Sequence, residues 1–128
     1  MSGNRYLLDT NAIIQLLKGN EQLISILGQA EFIAVSVISR LEFLSFSGLS
    51  DNDKMLYESF EKRISLIDLS TKDMNLLNTI VETRLKGALK LPDAIILSTA
   101  DVLNCILLTA DKKLLVQSHL ETLSFEPI

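Results

Sequence analysis

Short apolar runs alternate with stretches of helical periodicity along this chain of 128 residues. Runs rich in Val, Ile, Leu and Phe that are bounded by turn residues are typical of buried strands, whereas apolar residues that recur every three or four positions indicate amphipathic helices. The pattern predicts strands at about 4–9, 32–35, 64–67, 106–108 and 122–125. It predicts helices at about 11–18, then one ending near 28, one at 37–47, one ending near 63, a long one ended by Gly87, one from Pro92 to about 103, and a short one from 111.

The order of these elements predicts the fold class. Strands that are separated by helices need crossover connections, which place the strands parallel and the helices on the faces of the sheet. The sequence therefore predicts an α/β fold in three layers, with a mostly parallel five-stranded sheet and helices on both faces. We expect residues 1–128 to form one domain, since the length and the apolar fraction of 48% suffice for a substantial core. Ligands of such sheets bind at the carboxyl ends of the strands.

Two acids follow predicted strands at that edge. Asp9 comes directly after the apolar run Tyr6–Leu8, and Asp111 follows the run that begins at Ile106. An acid that is flanked by buried sequence is costly unless it has a partner, which favours a functional site. The alternative is that each acid only caps the helix that follows it.

Two further acids stand on predicted helices. Glu42 lies among apolar positions, near the border of a buried face, and Asp93 follows Pro92 at the start of an almost wholly apolar helix. The helix dipole favours the ionised form of Asp93. Alternatively, Glu42 is a neighbour of Arg40 on a solvated face, and Asp93 is an ordinary acid of a first helical turn. The four acids together predict a site for a divalent metal, Mg²⁺ or Mn²⁺, which prefers oxygen ligands.

Polar neighbours of these acids are candidates for orienting them. We expect Thr10, Asn11 and Thr109 to hold the carboxylates through hydrogen bonds. Asp101 lies about two helical turns after Asp93, and we expect it to be a surface residue.

Basic residues near the same edge are candidates for binding a phosphate backbone. Arg84 and Lys86 end the long helix, and Lys90 lies just before Pro92. The alternative for the first two is that cations at a helix end complement its dipole. We expect Arg5 and Arg40 to be weaker candidates near this edge.

Composition excludes several classes of site. The net charge of −4 argues against binding nucleic acid through bulk charge, so local cations or a metal would have to compensate. The single Cys105 permits neither an internal disulfide nor a thiolate zinc site, which fits a reducing cytoplasm. We expect no membrane span and no signal peptide. There is no Gly-rich phosphate loop, and His119 is alone, which leaves no histidine pair for catalysis.

The motifs occur in an order that resembles a known family. They are Leu8-Asp9-Thr10-Asn11, Val35-Ser36 with Glu42 six residues later, Leu91–Ile96 with Thr99-Ala100, and Leu108–Asp111. In this order they resemble the PIN domain over essentially the whole chain, and within it the VapC-like toxin ribonucleases of toxin–antitoxin pairs. The resemblance implies a metal-dependent endoribonuclease that acts on RNA, is usually a homodimer and is neutralised by a small antitoxin with a DNA-binding end. The chain departs from the family at Ala110 and at Lys112–Leu114, where an Arg or Asn and then an aromatic residue are common.

Two other functions remain open from the sequence. A phosphatase could use Asp9 as a nucleophile, but such enzymes usually carry a second acid two residues later, where this chain has Asn11. A catalytically silent interaction module could use the same acids as helix caps and bind a partner through apolar surface.

Overall fold

Five strands and seven helices lie within residues 3–117 and 121–128, which are the residues that the computed structural model describes. Each predicted element is present, with ends shifted by a few residues, and His119 lies outside the described residues. The elements are β1 (Arg5–Leu8), α1 (Thr10–Leu17), α2 (Glu21–Gly28), β2 (Phe32–Ser36), α3 (Val37–Leu44), α4 (Asp51–Glu61), β3 (Ser65–Ile67), α5 (Met74–Gly87), α6 (Leu91–Val102), β4 (Ile106–Leu108), α7 (Lys112–Leu115) and β5 (Thr122–Leu123).

The strands form one sheet in the order β3-β2-β1-β4-β5, and all four neighbouring pairs are parallel. The prediction of a mostly parallel five-stranded sheet is confirmed. Leu8, at the end of the central strand β1, pairs with Val35 on one side and with Leu108 on the other. The three strands therefore end at one level, and the residues that follow them meet at one edge of the sheet.

Side chains of the central strands alternate between two cores. Leu7 belongs to a core built with α5 and α6, whereas Leu8 belongs to a core built with α1 and with aromatic residues of α3 and α4. Successive residues of a strand point to opposite faces, so these cores lie on opposite sides of the sheet. The predicted arrangement in three layers follows directly. No helix among the described residues is long and apolar enough to cross a membrane.

The turn between α5 and α6 sets where α6 starts. The sequence predicts that Gly87 ends α5, and the structure shows a different reason for a glycine at this position. Gly87 is the last residue of α5, and Ala88 after it adopts the left-handed conformation, with φ of 51°. A Cβ at Gly87 would stand 3.1 Å from the side chain of Leu89. Gly87 is therefore needed for the close approach of Leu89, and not for a positive φ. Pro92 lies in the first turn of α6, where its missing N–H leaves no hydrogen bond unmade.

Candidate active site

A cleft with a volume of about 370 Å³ opens at the carboxyl edge of the sheet. All four acids that the sequence singles out line it. Its lining consists of Asp9, Thr10, Asn11, Glu42, Asp93, Ile96, Ala110 and Asp111.

Asp9 is the buried member of the four, with 5% of its surface exposed. Its Oδ1 accepts a hydrogen bond from the N–H of Ala12 at 2.8 Å, and its Oδ2 accepts one from the hydroxyl of Thr109. Burial raises the pKa of Asp9, and the charges of Asp111 and Asp93 raise it further, against the lowering effect of the two hydrogen bonds. Asp9 thus caps α1 and faces the other acids at the same time.

Asp93 is half-buried in the first turn of α6. Burial raises its pKa, and the negative charges of Asp111 and Glu42 raise it further. Lys113 and Lys90 act in the opposite direction. The carboxylates of the cleft therefore repel one another through space, although they come from four different elements.

Glu42 and Asp111 are exposed. Oε1 of Glu42 accepts a hydrogen bond from the hydroxyl of Thr10 at 2.6 Å, and Oδ1 of Asp111 accepts one from the N–H of Lys113 at 2.9 Å. Glu42 is the neighbour of Phe43, which α3 buries, and it lines the cleft with an exposed side chain. Of the four acids, only Asp9 and in part Asp93 are desolvated.

Two of the three predicted orienting residues hold acids of the cleft. The fully buried Thr109 donates to Asp9 and accepts a hydrogen bond from the N–H of Asp111 at 3.0 Å, so one hydroxyl contacts both strand-end acids. Thr10 holds Glu42. Asn11 lines the cleft, and its exposed side chain makes no hydrogen bond to the four acids in the described part of the chain.

The basic residues differ in how close they lie to the acids of the cleft. Lys90 is near enough to Asp93 to lower its pKa, and so is Lys113, which the sequence reasoning missed. The pair Lys112-Lys113 directly after Asp111 was the available signal, because the start of α7 fixes its position beside that acid. Arg84 and Lys86 are exposed in the last turn of α5 and do not line the cleft.

Two weaker candidates are engaged elsewhere. Arg5 begins β1 and so lies at the opposite edge of the sheet, where its guanidinium donates to the carbonyl of Leu103 and covers the ring of Phe32 at 4.2 Å. Its expected place near the site is wrong. Arg40 forms an ion pair with Glu61 at 2.7 Å. Asp101 is exposed and does not line the cleft, as expected for a surface residue.

The donor chemistry of the cleft fits a hard divalent cation. The charged side chains that line it are carboxylates alone, and the mutual repulsion at Asp9 and Asp93 is the kind that a cation relieves. As placed within residues 3–117 and 121–128, no three His, Cys, Asp or Glu side chains lie close enough to hold one metal ion together. The residues therefore fit a cation by chemistry, while their spacing is wider than that of a closed coordination shell.

Comparisons with known proteins agree with the fold. The family model of the PIN domain matches residues 6–119. A toxin–antitoxin complex from Klebsiella pneumoniae is 26% identical in sequence, with a TM-score of 0.73 over 88% of this chain and 91% of that one.

Two further solved structures share the fold at lower identity. VapBC2 from Rickettsia felis, bound to a DNA fragment from its promoter, is 22% identical with a TM-score of 0.78, over 94% of this chain and 98% of that one. DNA-bound VapBC from Salmonella typhimurium is 16% identical with a TM-score of 0.75, with the same coverage of both chains. No curated protein matches the sequence at a significant level.

Proposed function

This chain belongs to the PIN domain family, and on that premise we propose that it is a metal-dependent endoribonuclease that hydrolyses phosphodiester bonds of RNA. One observation carries the proposal: Asp9, Glu42, Asp93 and Asp111 come from four separate parts of the chain and line one cleft. Four acids that serve only as caps or as surface residues have no reason to share a cavity.

The cation would be Mg²⁺ or Mn²⁺, held by Asp9, Asp93 and Asp111 directly or through water, since Mg²⁺ keeps several waters when a few carboxylates bind it. When bound, it supplies positive charge that offsets the charge developing on the phosphoryl oxygens and lowers the pKa of water. Thr109 and the N–H of Ala12 fix the carboxylate of Asp9 in place. Such fixed orientation is what supporting residues of a metal site contribute.

Glu42 is the candidate for handling the proton. Its Oε1 accepts the hydroxyl of Thr10, while Oε2 accepts no hydrogen bond from the described residues. A water that attacks phosphorus would lose a proton to this carboxylate, or Glu42 would join the ligands of the cation. The bond between phosphorus and the ribose 3′ oxygen breaks, and that oxygen takes up a proton from solvent. The products are a 5′-phosphate and a 3′-hydroxyl.

The solved relatives support a further part of the proposal, which is the role of a toxin. The Klebsiella protein is part of a toxin–antitoxin complex. We infer a cognate antitoxin as partner for this chain, a homodimer as its assembly and the cytoplasm as the place where it meets RNA. The apolar side chains exposed on its helices offer surface for such partners.

The two alternative functions fare differently. A phosphatase that uses Asp9 as nucleophile is disfavoured, because such enzymes usually carry a second acid two residues later, where this chain has Asn11. The capping bonds of Asp9 and Asp111 are compatible with a silent interaction module, since these bonds would exist without catalysis. Metal-dependent RNA cleavage that is lost when one carboxylate of the cleft is neutralised would support the nuclease and exclude the silent module.

The experiment is digestion of single-stranded and loop RNA by the purified protein with Mg²⁺, with Mn²⁺ and with chelator. We expect cleavage only with metal, and 5′-phosphate and 3′-hydroxyl ends. Asp93→Asn should abolish cleavage, while Asp101→Asn, on the same helix but outside the cleft, should cleave like the wild type. Cyclic phosphate products, or full activity in excess chelator, would rule the mechanism out.

A further inference from the structure

A second cavity opens beside the acidic cleft and shares Thr10 and Glu42 with it. Its volume is about 430 Å³, and most of its wall is apolar. We call it the apolar pocket; it is lined by Thr10, Ile14, Leu17, Lys18, Glu42, Phe43, Phe46, Gly48, Leu49 and Asp53. Whatever occupies the apolar pocket therefore lies next to whatever occupies the cleft.

Two aromatic rings of the pocket differ in their surroundings. Phe43 is buried and stacks on Tyr57 with ring centroids 5.0 Å apart, so it forms a fixed part of the wall. Phe46 is 56% exposed and follows α3. Its ring lies against Gly48, with ring atoms 3.5 Å from the point where a Cβ of Gly48 would stand. Phe46 thus presents aromatic surface at a cavity that adjoins the site of reaction.

We propose that the apolar pocket receives one unstacked nucleobase of single-stranded RNA, adjacent to the phosphodiester that lies in the acidic cleft. This inference rests on the ribonuclease function proposed above. Proteins that recognise single-stranded RNA stack its splayed bases on aromatic side chains and bind their polar edges. Cleft and pocket together accommodate a nucleotide, with the phosphate at the acids and the base against Phe46.

The chemistry of the lining supports a base over a segment of protein helix. An amphipathic helix docks through side chains spread over two turns or more, about 10 Å of groove. The apolar pocket is a single cavity near the lower end of the volumes typical of small-molecule sites. Its charged groups, Lys18, Glu42 and Asp53, suit a ligand with apolar faces and a polar edge. The carboxylate of Asp53 accepts from an amino or imino group of a base, and Lys18 donates to a carbonyl or phosphate oxygen.

Binding of short single-stranded RNAs tests the base site without depending on cleavage. The protein carries Asp111→Asn, which lies in the cleft but outside the pocket, so that the bound RNA stays intact. Each RNA lacks one base, and the abasic position moves along the strand. We expect one position at which loss of the base weakens binding by about 5- to 150-fold, the range for stacking of one base. Phe46→Ala should weaken binding of the intact RNA by a comparable factor.

A double-mutant cycle identifies the contact. The effects of Phe46→Ala and of the abasic position on the binding free energy should not be additive, because both changes remove the same interaction. Phe46→Trp should retain binding, and Leu41→Ala, which removes a side chain of similar exposure on α3 outside the pocket, should leave it unchanged. Additive effects, or wild-type affinity in Phe46→Ala, would overturn the proposal and leave a protein segment as the occupant.

The outcome for the base site is separate from the outcome for the nuclease. If the wild-type protein binds RNA through Phe46 but cleaves none with any metal, the base site is supported and the nuclease function is refuted. If the protein cleaves RNA but its RNA affinity does not depend on Phe46, the nuclease function is supported and the base site is refuted. A protein that binds no RNA loses both.

Discussion

The hydroxyl of Thr109 donates a hydrogen bond to Oδ2 of Asp9, a residue 100 positions earlier in the chain. The two residues meet because β1 and β4 are parallel neighbours that end at the same level. The same hydroxyl accepts the N–H of Asp111. One buried side chain therefore positions both strand-end acids, and it couples the register of the sheet to the geometry of the cleft.

Replacement of this hydroxyl by a methyl group should affect both stability and activity. Thr109→Val keeps the shape of the side chain but leaves a buried oxygen of Asp9 without its donor, which costs about 1–3 kcal/mol of unfolding free energy. It should also raise the pKa of Asp9 further, because the hydrogen bond that the substitution removes lowers this pKa in the wild type. Urea unfolding and RNA cleavage rates measure the two effects.

A second buried threonine provides the control for this substitution. The hydroxyl of Thr99 donates to the carbonyl of Ile95 within α6 and does not line the cleft. Thr99→Val should cost less stability and leave the cleavage rate unchanged. Equal activity in the two variants would show that Thr109 has a structural role only.

The pH dependence of the metal-free protein should be opposite to that of a protein held together by salt bridges. Asp9 and Asp93 have folded-state pKa values above the ordinary value of 3.8. Between that value and the raised one, the folded state binds more protons than the unfolded state, so stability rises as the pH falls. Below the ordinary value, their contribution no longer changes.

Urea unfolding in chelator from pH 7 to pH 4.5 measures this dependence. The contribution of Asp93 is the difference between the wild type and Asp93→Asn, and it should shrink as the pH falls. Asp101→Asn serves as the control and should parallel the wild type. With Mn²⁺, the stability of the wild type should instead fall as the pH falls, since the metal binds the ionised carboxylates. A wild type and an Asp93→Asn variant with parallel pH profiles in chelator would contradict the assignment.

Charge reversal of Arg84 and Lys86 should weaken RNA binding and flatten its dependence on salt, because phosphate contacts release counterions. Both residues are exposed, so the unfolding free energy should hardly change. Lys62 and Arg63 provide a matched control, since both are exposed. They lie directly after α4 and before β3, and so at the opposite edge of the sheet. If the two double reversals affect binding equally, Arg84 and Lys86 serve the helix dipole and the general field of the protein.

The fold and the place of the site could be predicted because both depend on local pattern. Apolar runs fix the strands, the spacing between them requires parallel crossovers, and parallel strands end at one edge. Asp9 and Asp111 follow from that logic directly. The structure adds that each of these acids also caps a helix, so capping does not exclude a place in the cleft.

The errors concern properties that depend on three-dimensional neighbours. Arg40 has Glu61 as its partner, which is 21 positions away and could not be read from the sequence. Arg5 was placed at the wrong edge, although the direction of β1 could have corrected it. Lys113 was overlooked because its effect on Asp93 acts across two elements.

The substitution Asp9→Asn separates the proposed metal site from a simple helix cap. Asn is nearly isosteric, and its Oδ1 can still accept the N–H of Ala12, so the cap of α1 should persist. Loss of the charge removes the cost of a buried carboxylate that faces Asp93 and Asp111. The metal-free variant should therefore be at least as stable as the wild type at neutral pH. Stabilisation by Mn²⁺ should fall sharply, because binding to the folded state is lost, and cleavage should be abolished.

Thermal unfolding of both proteins, with chelator and with Mn²⁺, measures these effects alongside one RNA digestion. Asp73→Asn is the control, since Asp73 caps α5 through the N–H of Leu76, away from the cleft. Its response to Mn²⁺ and its cleavage rate should equal those of the wild type. If Asp9 were only a cap, the two variants would behave alike in all three measurements. Wild-type cleavage by Asp9→Asn would remove the buried carboxylate from the mechanism, and with it the reason for placing a cation at this edge of the sheet.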